Sequence, residues 1–306
     1  MNYKSPRDNT QDDNMTKISI IIPVYNDADG LDDTISSIVK QEYSNYEIIP
    51  VDNNSTDDTY TVITAWADQY PETIQPAVEE EVQSSYAARN TGVKNANGDV
   101  LVFIDADMTV PSNWLHTIDA YFNDTDIDYL GYSIELYTPE GKDGYWGWYD
   151  RKFGLPSEYY FNNENYSPTA ALAVRSRVFD MAGLFNEKLV SGGDKEFGKR
   201  VHSHKDLQTE FATDIVVFHP ARASFSEQFK KSVRIGKGKS QEISGGGSSG
   251  ERDLSIALAI SAILPPDPRR VYLAAKDQLN PVSFIVLYIG VTIKMYIELY
   301  GAVKHL

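Results

Sequence analysis

The chain contains no cysteine, which excludes a disulfide framework, a thiolate zinc site and a cysteine nucleophile. Basic residues are scarce too: 28 Lys and Arg stand against 44 Asp and Glu, for a net charge of -16. That imbalance opposes broad contact with phosphate backbones, which makes nucleic acid a poor partner. It suits a protein kept hydrated in concentrated salt, and equally an ordinary acidic protein. An apolar leader is also missing. Residues 1–17 are polar and the first apolar run, at 18–24, is too short for the hydrophobic region of a signal peptide. The expectation is that the working part of the protein stays on the cytoplasmic side, at the face of the cell membrane.

What is there describes a folded core. With 306 residues, 42% of them hydrophobic and 24% charged, the chain has room for one large α/β domain and a short appendage, hence for one active site. Residues 1–14 lack an apolar period and read as a flexible tail. From Lys17 the sequence runs ISIIIPVYN, a β-branched stretch of the type buried on both faces of a parallel sheet. Leu31, Ile35, Ile38 and Val39 follow at helical spacing. The grammar then repeats: a strand at 46–51, a helix start signalled by Ser55 and Asp58, a helix from about Ser84, and the buried strand VLVFID at 100–105. Alternation of this kind predicts a Rossmann-like, mostly parallel sheet flanked by helices. After Pro111 the pattern loosens, and a helix near Gly193 and a strand at 215–218 complete a domain spanning 15–243. SGGGSSG marks a flexible linker at 244–251, and 252–306 reads as apolar C-terminal helices. The stretch 282–303 is about long enough to cross a bilayer. It contains Lys294 and Glu298, whose i,i+4 spacing allows them to pair on an interfacial or oligomerising helix instead.

In open α/β sheets ligands bind beyond the carboxyl ends of the strands. Here those ends carry PVYND after the first strand, Asp52 after EIIPV, and Asp105 with Asp107 after VLVFI. An Asp-x-Asp pair in extended chain turns both carboxylates to one side. Paired hard oxygen ligands favour a divalent cation, Mg²⁺ or Mn²⁺, with positions left open for substrate phosphates.

Taken in order, IIPVYN, VDNNSTDDT, ARNTGVKNANGDVLVFIDAD and GGDKEFGKRV resemble the successive landmarks of family two glycosyltransferases over roughly residues 17–240. The resemblance implies a GT-A fold, a nucleotide-sugar donor, expected to be a UDP-sugar, and an inverting single displacement. It implies that Pro23, Tyr25 and Asn26 line the nucleotide pocket and that Asp52 accepts a hydrogen bond from the base. Arg89 would face the donor pyrophosphate, Asp105 the ribose and the metal. Asp107 would be the direct metal ligand, and His219 a further one. Asp194 matches the catalytic base. Glu196 is its local rival, but Arg200 lies four residues on and can hold it. A second acid usually precedes the base, and Gly193 stands there instead.

Two other features stay open at the level of sequence. Tyr145, Trp146, Trp148 and Tyr149 are either loop-core packing or a sugar platform. The segment 226–239 turns basic, with Lys230, Lys231, Arg234, Lys237 and Lys239 beside Phe225 and Phe229; it is a solvated helix face or a patch for the donor diphosphate, a lipid phosphate or an anionic membrane surface. The expected activity is transfer to a hydroxyl of a glycan acceptor, carried or not on a polyprenyl phosphate. The alternatives are a polyprenyl-phosphate glycosyltransferase and a catalytically silent scaffold of the same fold.

Overall fold

A computed structural model describes residues 15–142, 144–245 and 281–304. The predicted 1–14 tail, most of the 244–251 linker and the first apolar stretch of the C-terminal unit lie outside the described residues. In chain order the elements are β1 (Ile18–Val24), α1 (Ala28–Ile38), β2 (Tyr46–Asp52), α2 (Thr59–Gln69), β3 (Ala77–Val78), α3 (Ser85–Asn95), β4 (Val100–Phe103), α4 (Trp114–Asp124), β5 (Tyr129–Tyr137), α5 (Tyr145–Phe153), α6 (Ser157–Glu164), β6 (Leu172–Arg175), α7 (Arg177–Ala182), α8 (Gly193–Ser203), β7 (Thr209–Pro220), α9 (Phe225–Gly245) and α10 (Pro281–Val303). The strands form one sheet in the order β3-β2-β1-β4-β6-β5-β7. β6 is antiparallel to both its neighbours, while the other pairs are parallel. This is the α/β, mostly parallel sheet that the alternating pattern predicts.

β1 shows why its run has almost no polar residue. Ile18, Ile20 and Ile22 pack with Leu31, Ile35 and Ile38 of α1 on one face, and Ile21 packs with Tyr86, Ala88, Phe197 and Val201 on the other. Both faces are covered by helices, so both must be apolar. The exception, Ser19, is fully buried and satisfied: its Oγ donates to Glu47 at 2.6 Å and accepts the Gly98 N–H at 2.8 Å.

Three local expectations are corrected. α2 begins at Thr59 directly after Asp58, as the sequence signals, but Ser55 takes no part: Asp57 accepts the Thr59 N–H at 3.0 Å, and Ser55 instead accepts the Asn26 N–H at 2.9 Å, tying the β2 loop to the β1 loop. The region after Pro111 is not loose: it holds α4 to α7 with β5 and β6. Glu298 pairs with Lys239 of α9 at 2.7 Å rather than with Lys294.

That last contact belongs to the packing of α10 on α9, which glycine makes close. A Cβ at Gly236 would run into the backbone of Glu298 and Ala302, and one at Gly301 would lie 2.7 Å from the Val233 carbonyl oxygen. α9 itself continues to Gly245, so helix extends into the start of the predicted linker. The aromatic group at 145–149 packs within itself and against Leu287 and Val291 of α10, which decides its role in favour of packing.

Candidate active site

The loops at the carboxyl ends of β1 and β2 are held by asparagines. Asn26 and Asn54 have φ of 52° and 62°, the left-handed region that asparagine tolerates better than other residues with a Cβ. The Asn26 side-chain oxygen accepts the Thr56 N–H at 2.7 Å, and both oxygens of Asp52 lie within 3.4 Å of the Ser55 N–H. Asn26 and Asp52 therefore build the two turns. Between them and the α3 side, Pro23 and Tyr25 line a cavity of about 510 Å³ with Asn53, Gln83, Ser84 and Arg234. Tyr25 is 52% exposed, a free ring at its mouth.

After β4 the chain presents Asp105 and Asp107, whose side chains are 37% and 35% exposed. Arg89, buried in α3, donates to Asp105 at 2.6 Å and to the Ser85 carbonyl at 3.3 Å. Its Nε is buried without a hydrogen-bond partner. Asp107 faces His219, near the end of β7, with Oδ1 3.6 Å from Nε2. The His219 Nδ1 lies 2.6 Å from the Pro220 carbonyl oxygen, which can only accept. Nδ1 therefore carries a proton and donates to that carbonyl, which leaves Nε2 as the nitrogen facing the carboxylate. Burial raises the Asp107 pKa, with Asp105 adding to the rise and His219 and Arg222 opposing it. A carboxylate and an imidazole nitrogen facing each other, with a second carboxylate nearby, are groups that could together hold a divalent cation once Nε2 is unprotonated. Among the described residues no three His, Asp or Glu side chains cluster as a cage. A pair of protein ligands nevertheless fits Mg²⁺ or Mn²⁺, which take one or two from the protein and the rest from phosphate and water.

Asp194 is the second residue of α8 and lines a separate cavity of about 950 Å³. Its Oδ1 accepts the Lys195 N–H at 3.0 Å. Burial raises its pKa above the ordinary 3.8, against that N–H and the cations Arg89 and Arg234. Glu196 is held by Arg200 through two contacts of 2.6 and 2.9 Å, as the i,i+4 spacing predicts. Gly193 has a reason to replace an acid: a Cβ there would lie 2.7 Å from the Tyr86 ring. Tyr86, three residues before Arg89 on α3, lines this cavity, as do the stacked pair Tyr160 and Tyr166, 5.2 Å apart. Sequence reasoning missed these three tyrosines. For Tyr86 the i,i+3 relation to Arg89 was available as a signal; for the other two, only the fold brings them to Asp194. Leu189 and Arg234 line both cavities and so stand where the two meet.

The Glycosyl transferase family 2 model matches residues 19–185. Glycosyltransferase AglE from Haloferax volcanii is 34% identical over 226 residues, 73% of each chain. Among solved structures, the mannosyltransferase PcManGT from Pyrobaculum calidifontis, in complex with GDP-Man and Mn²⁺, aligns with a TM-score of 0.61 at 17% identity, covering 95% of this chain and 87% of its own. S. aureus TarS 1-349 in complex with UDP aligns with a TM-score of 0.51 at 17% identity, covering 94% of this chain and 89% of its own. The matched stretch holds β1 to β6 and the strand-end carboxylates, and the structural likeness extends over the whole sheet. The chain is a family 2 glycosyltransferase with a GT-A fold.

Proposed function

We propose that the enzyme transfers a sugar from a UDP-sugar to a hydroxyl group of a glycan acceptor, with inversion at the anomeric carbon. The observation that carries this reading is the pair of adjoining cavities, with the strand-end turns at the first and Asp194 lining only the second. In this reading the nucleoside lies against Pro23 and Tyr25, with Asp52 beside the base. Arg89, released from Asp105, pairs with the diphosphate through its planar fork. Asp107 and His219 would hold the divalent cation, with Asp105 close by; when bound, it neutralises the diphosphate and the charge that develops on the leaving group.

The acceptor hydroxyl enters from the second cavity, on the side opposite the leaving group. Its oxygen attacks the anomeric carbon as the bond to phosphate breaks, the electron pair departs with the nucleoside diphosphate, and the proton passes to Asp194. A carboxylate whose pKa is raised by burial is a better proton acceptor than an ordinary one, and such a base contributes on the order of a hundredfold to ten-thousandfold in rate. The reading also sets the enzyme on a membrane surface. The face of α10 turned away from α9 exposes Ile285, Ile289, Ile293, Tyr296, Tyr300 and Val303, a single stripe at three- and four-residue spacing, and Phe225 and Phe229 of α9 are exposed as well. Ile285–Val303 is long and apolar enough to cross a bilayer. Its other face, however, is joined to α9 through Lys239 and Glu298, which favours lying in the interface.

The test is thermal stabilisation by nucleotides through linkage. UDP is expected to raise the melting temperature only with Mn²⁺ or Mg²⁺, and Asp107→Asn to remove that rise without lowering the melting temperature of the free protein. Stabilisation by UDP that is equal with chelator, or equal in the variant, contradicts the donor site.

A further inference from the structure

Around His219 the end of β7 is held one peptide at a time. Phe218 and Thr109 exchange two backbone hydrogen bonds of 2.9 Å, which brings the turn with Asp107 beside His219. The peptide between Pro220 and Ala221 accepts from the His219 ring through its carbonyl at 2.6 Å, and its N–H donates to the Tyr137 carbonyl of β5 at 2.7 Å. The next N–H, that of Arg222, donates to Oδ2 of Asp150 at 2.9 Å, and the Arg222 carbonyl accepts from Gln228 of α9 at 3.2 Å. Of these anchors only Asp150 brings a carboxylate.

Asp150 belongs to α5 and is fully buried, a costly place for a carboxylate. The chain reserves room for it: a Cβ at Gly154, one turn on, would lie 2.5 Å from its Oδ1. Its carboxyl is held low, because burial works against it and Lys231, Gln228 and Arg222 outweigh that. A neutral acceptor would satisfy the Arg222 N–H as well, so the charge serves something else. Two cations lie 3.6 Å away, Arg222 through Nη1 and Lys231 through Nζ, and they are not equivalent. Lys231 also donates to the Gly154 carbonyl at 3.0 Å, and burial, then Arg222, push its ammonium down to about 7. A guanidinium stays charged at any working pH, which makes Arg222 the steadier counter-ion. Its Nη1 is buried without a hydrogen bond and is held by the charge of Asp150, while the side chain as a whole is 24% exposed. The charge of Arg222 also reaches Asp107: burial raises the Asp107 pKa, and Arg222 is among the groups that oppose the rise.

We propose that Asp150 is a positioning residue of the donor site: by fixing the Arg222 peptide and one arm of its guanidinium, it keeps the rest of the fork turned to the donor diphosphate beside Asp107. This rests on the reading of Asp107 and His219 as the diphosphate end of that site. Asp150 itself touches no substrate and acts through Arg222. The diphosphate gains charge as the sugar departs, and a fork already held in place stabilises that charge without having to reorganise. The anchored peptides serve the same end, since the carbonyl that orients the His219 ring belongs to the peptide next to the one Asp150 holds.

The experiment is calorimetric titration of the full chain with UDP in the presence of Mn²⁺, run as a double-mutant cycle between positions 150 and 222. Arg222→Met is expected to weaken UDP binding by about tenfold or more, the loss of a hydrogen bond to a charged group. Asp150→Asn keeps an acceptor for the Arg222 N–H and removes the charge. It is expected to weaken UDP binding by about fivefold in the wild-type chain and not at all in Arg222→Met. A general loosening of the fold would instead add to the Arg222→Met loss. Because Asp150→Asn leaves two buried cations without their acid, the same substitution is also made in Lys231→Met, where one acid and one base have gone and the net charge is that of the wild type. The fivefold loss is expected there too, measured against Lys231→Met alone. Additive losses at 150 and 222, or UDP affinity unchanged by Asp150→Asn in both backgrounds, overturns the positioning role. The wild-type titration separates the two readings: UDP bound with Mn²⁺ but indifferent to Asp150 removes only the positioning role, and no UDP binding removes the donor reading beneath it.

Discussion

As the proposed base, Asp194 would work in a place that disfavours its charge, and the two demands have opposite pH signatures. Its native pKa is raised from 3.8, so between the unfolded and native values the folded chain binds more protons than the unfolded one, and stability falls as pH rises through that window. With Asp194 as the proposed base, transfer is expected to behave the other way: it needs the ionised carboxylate and is lost as pH drops through the same raised pKa. Asp194→Asn is therefore expected to stabilise the protein at neutral pH by about 1 kcal/mol, or roughly 2 to 4 °C, read by thermal melting. An unchanged or lower melting temperature contradicts the buried charge. Residue types at strand ends were legible in the sequence because parallel strands deliver their ends to the ligand. Pairings across elements were not. Nothing local says that Arg89 closes on Asp105, that Tyr86 occupies the space a side chain at 193 would need, or that Lys231, one cation among five in a basic segment, is the one turned inward.

At the scale of elements, β1, β2 and β4 declared themselves by doubly buried apolar runs, whereas β5 and β6 did not. β5 is cut by Gly131, where a Cβ would meet Ser167 at 2.8 Å, and β6 is four residues long and antiparallel, so neither offers a periodic signal. The contact of α9 with α10 depends on small residues whose purpose shows only when the partner helix is in place. Gly236→Leu is expected to push α10 off α9, at a cost of about 1 to 3 kcal/mol, and to open the Asp194 cavity, since Lys294 and Glu298 line it from α10. Proteolysis should then cleave near residue 280 sooner than in wild type. Cleavage at the same rate in both contradicts a closely packed helix pair.

For the whole molecule, a net charge of -16 repels an anionic bilayer at long range, and on the proposed membrane reading the basic α9 segment and the stripe on α10 would work against that repulsion locally. Ile289→Glu with Ile293→Glu places two charges on the exposed stripe without touching the packed face. This double variant is expected to leave the melting temperature unchanged and to shift the protein from pelleted vesicles to the supernatant. Co-sedimentation equal to wild type contradicts the surface role. Truncation is a poorer test, because removing α10 uncovers the aromatics of α5 that pack against Leu287 and Val291. The central claim is that donor and acceptor occupy adjoining cavities and that Asp194 serves only the second. The most direct measurement is radiolabelled sugar transfer by Asp194→Asn to glycans of the native membrane fraction, made beside its UDP affinity with Mn²⁺. A hundredfold or greater loss of transfer with donor affinity within about twofold of wild type is the predicted result; transfer at the wild-type rate, or loss of UDP binding with it, would contradict it.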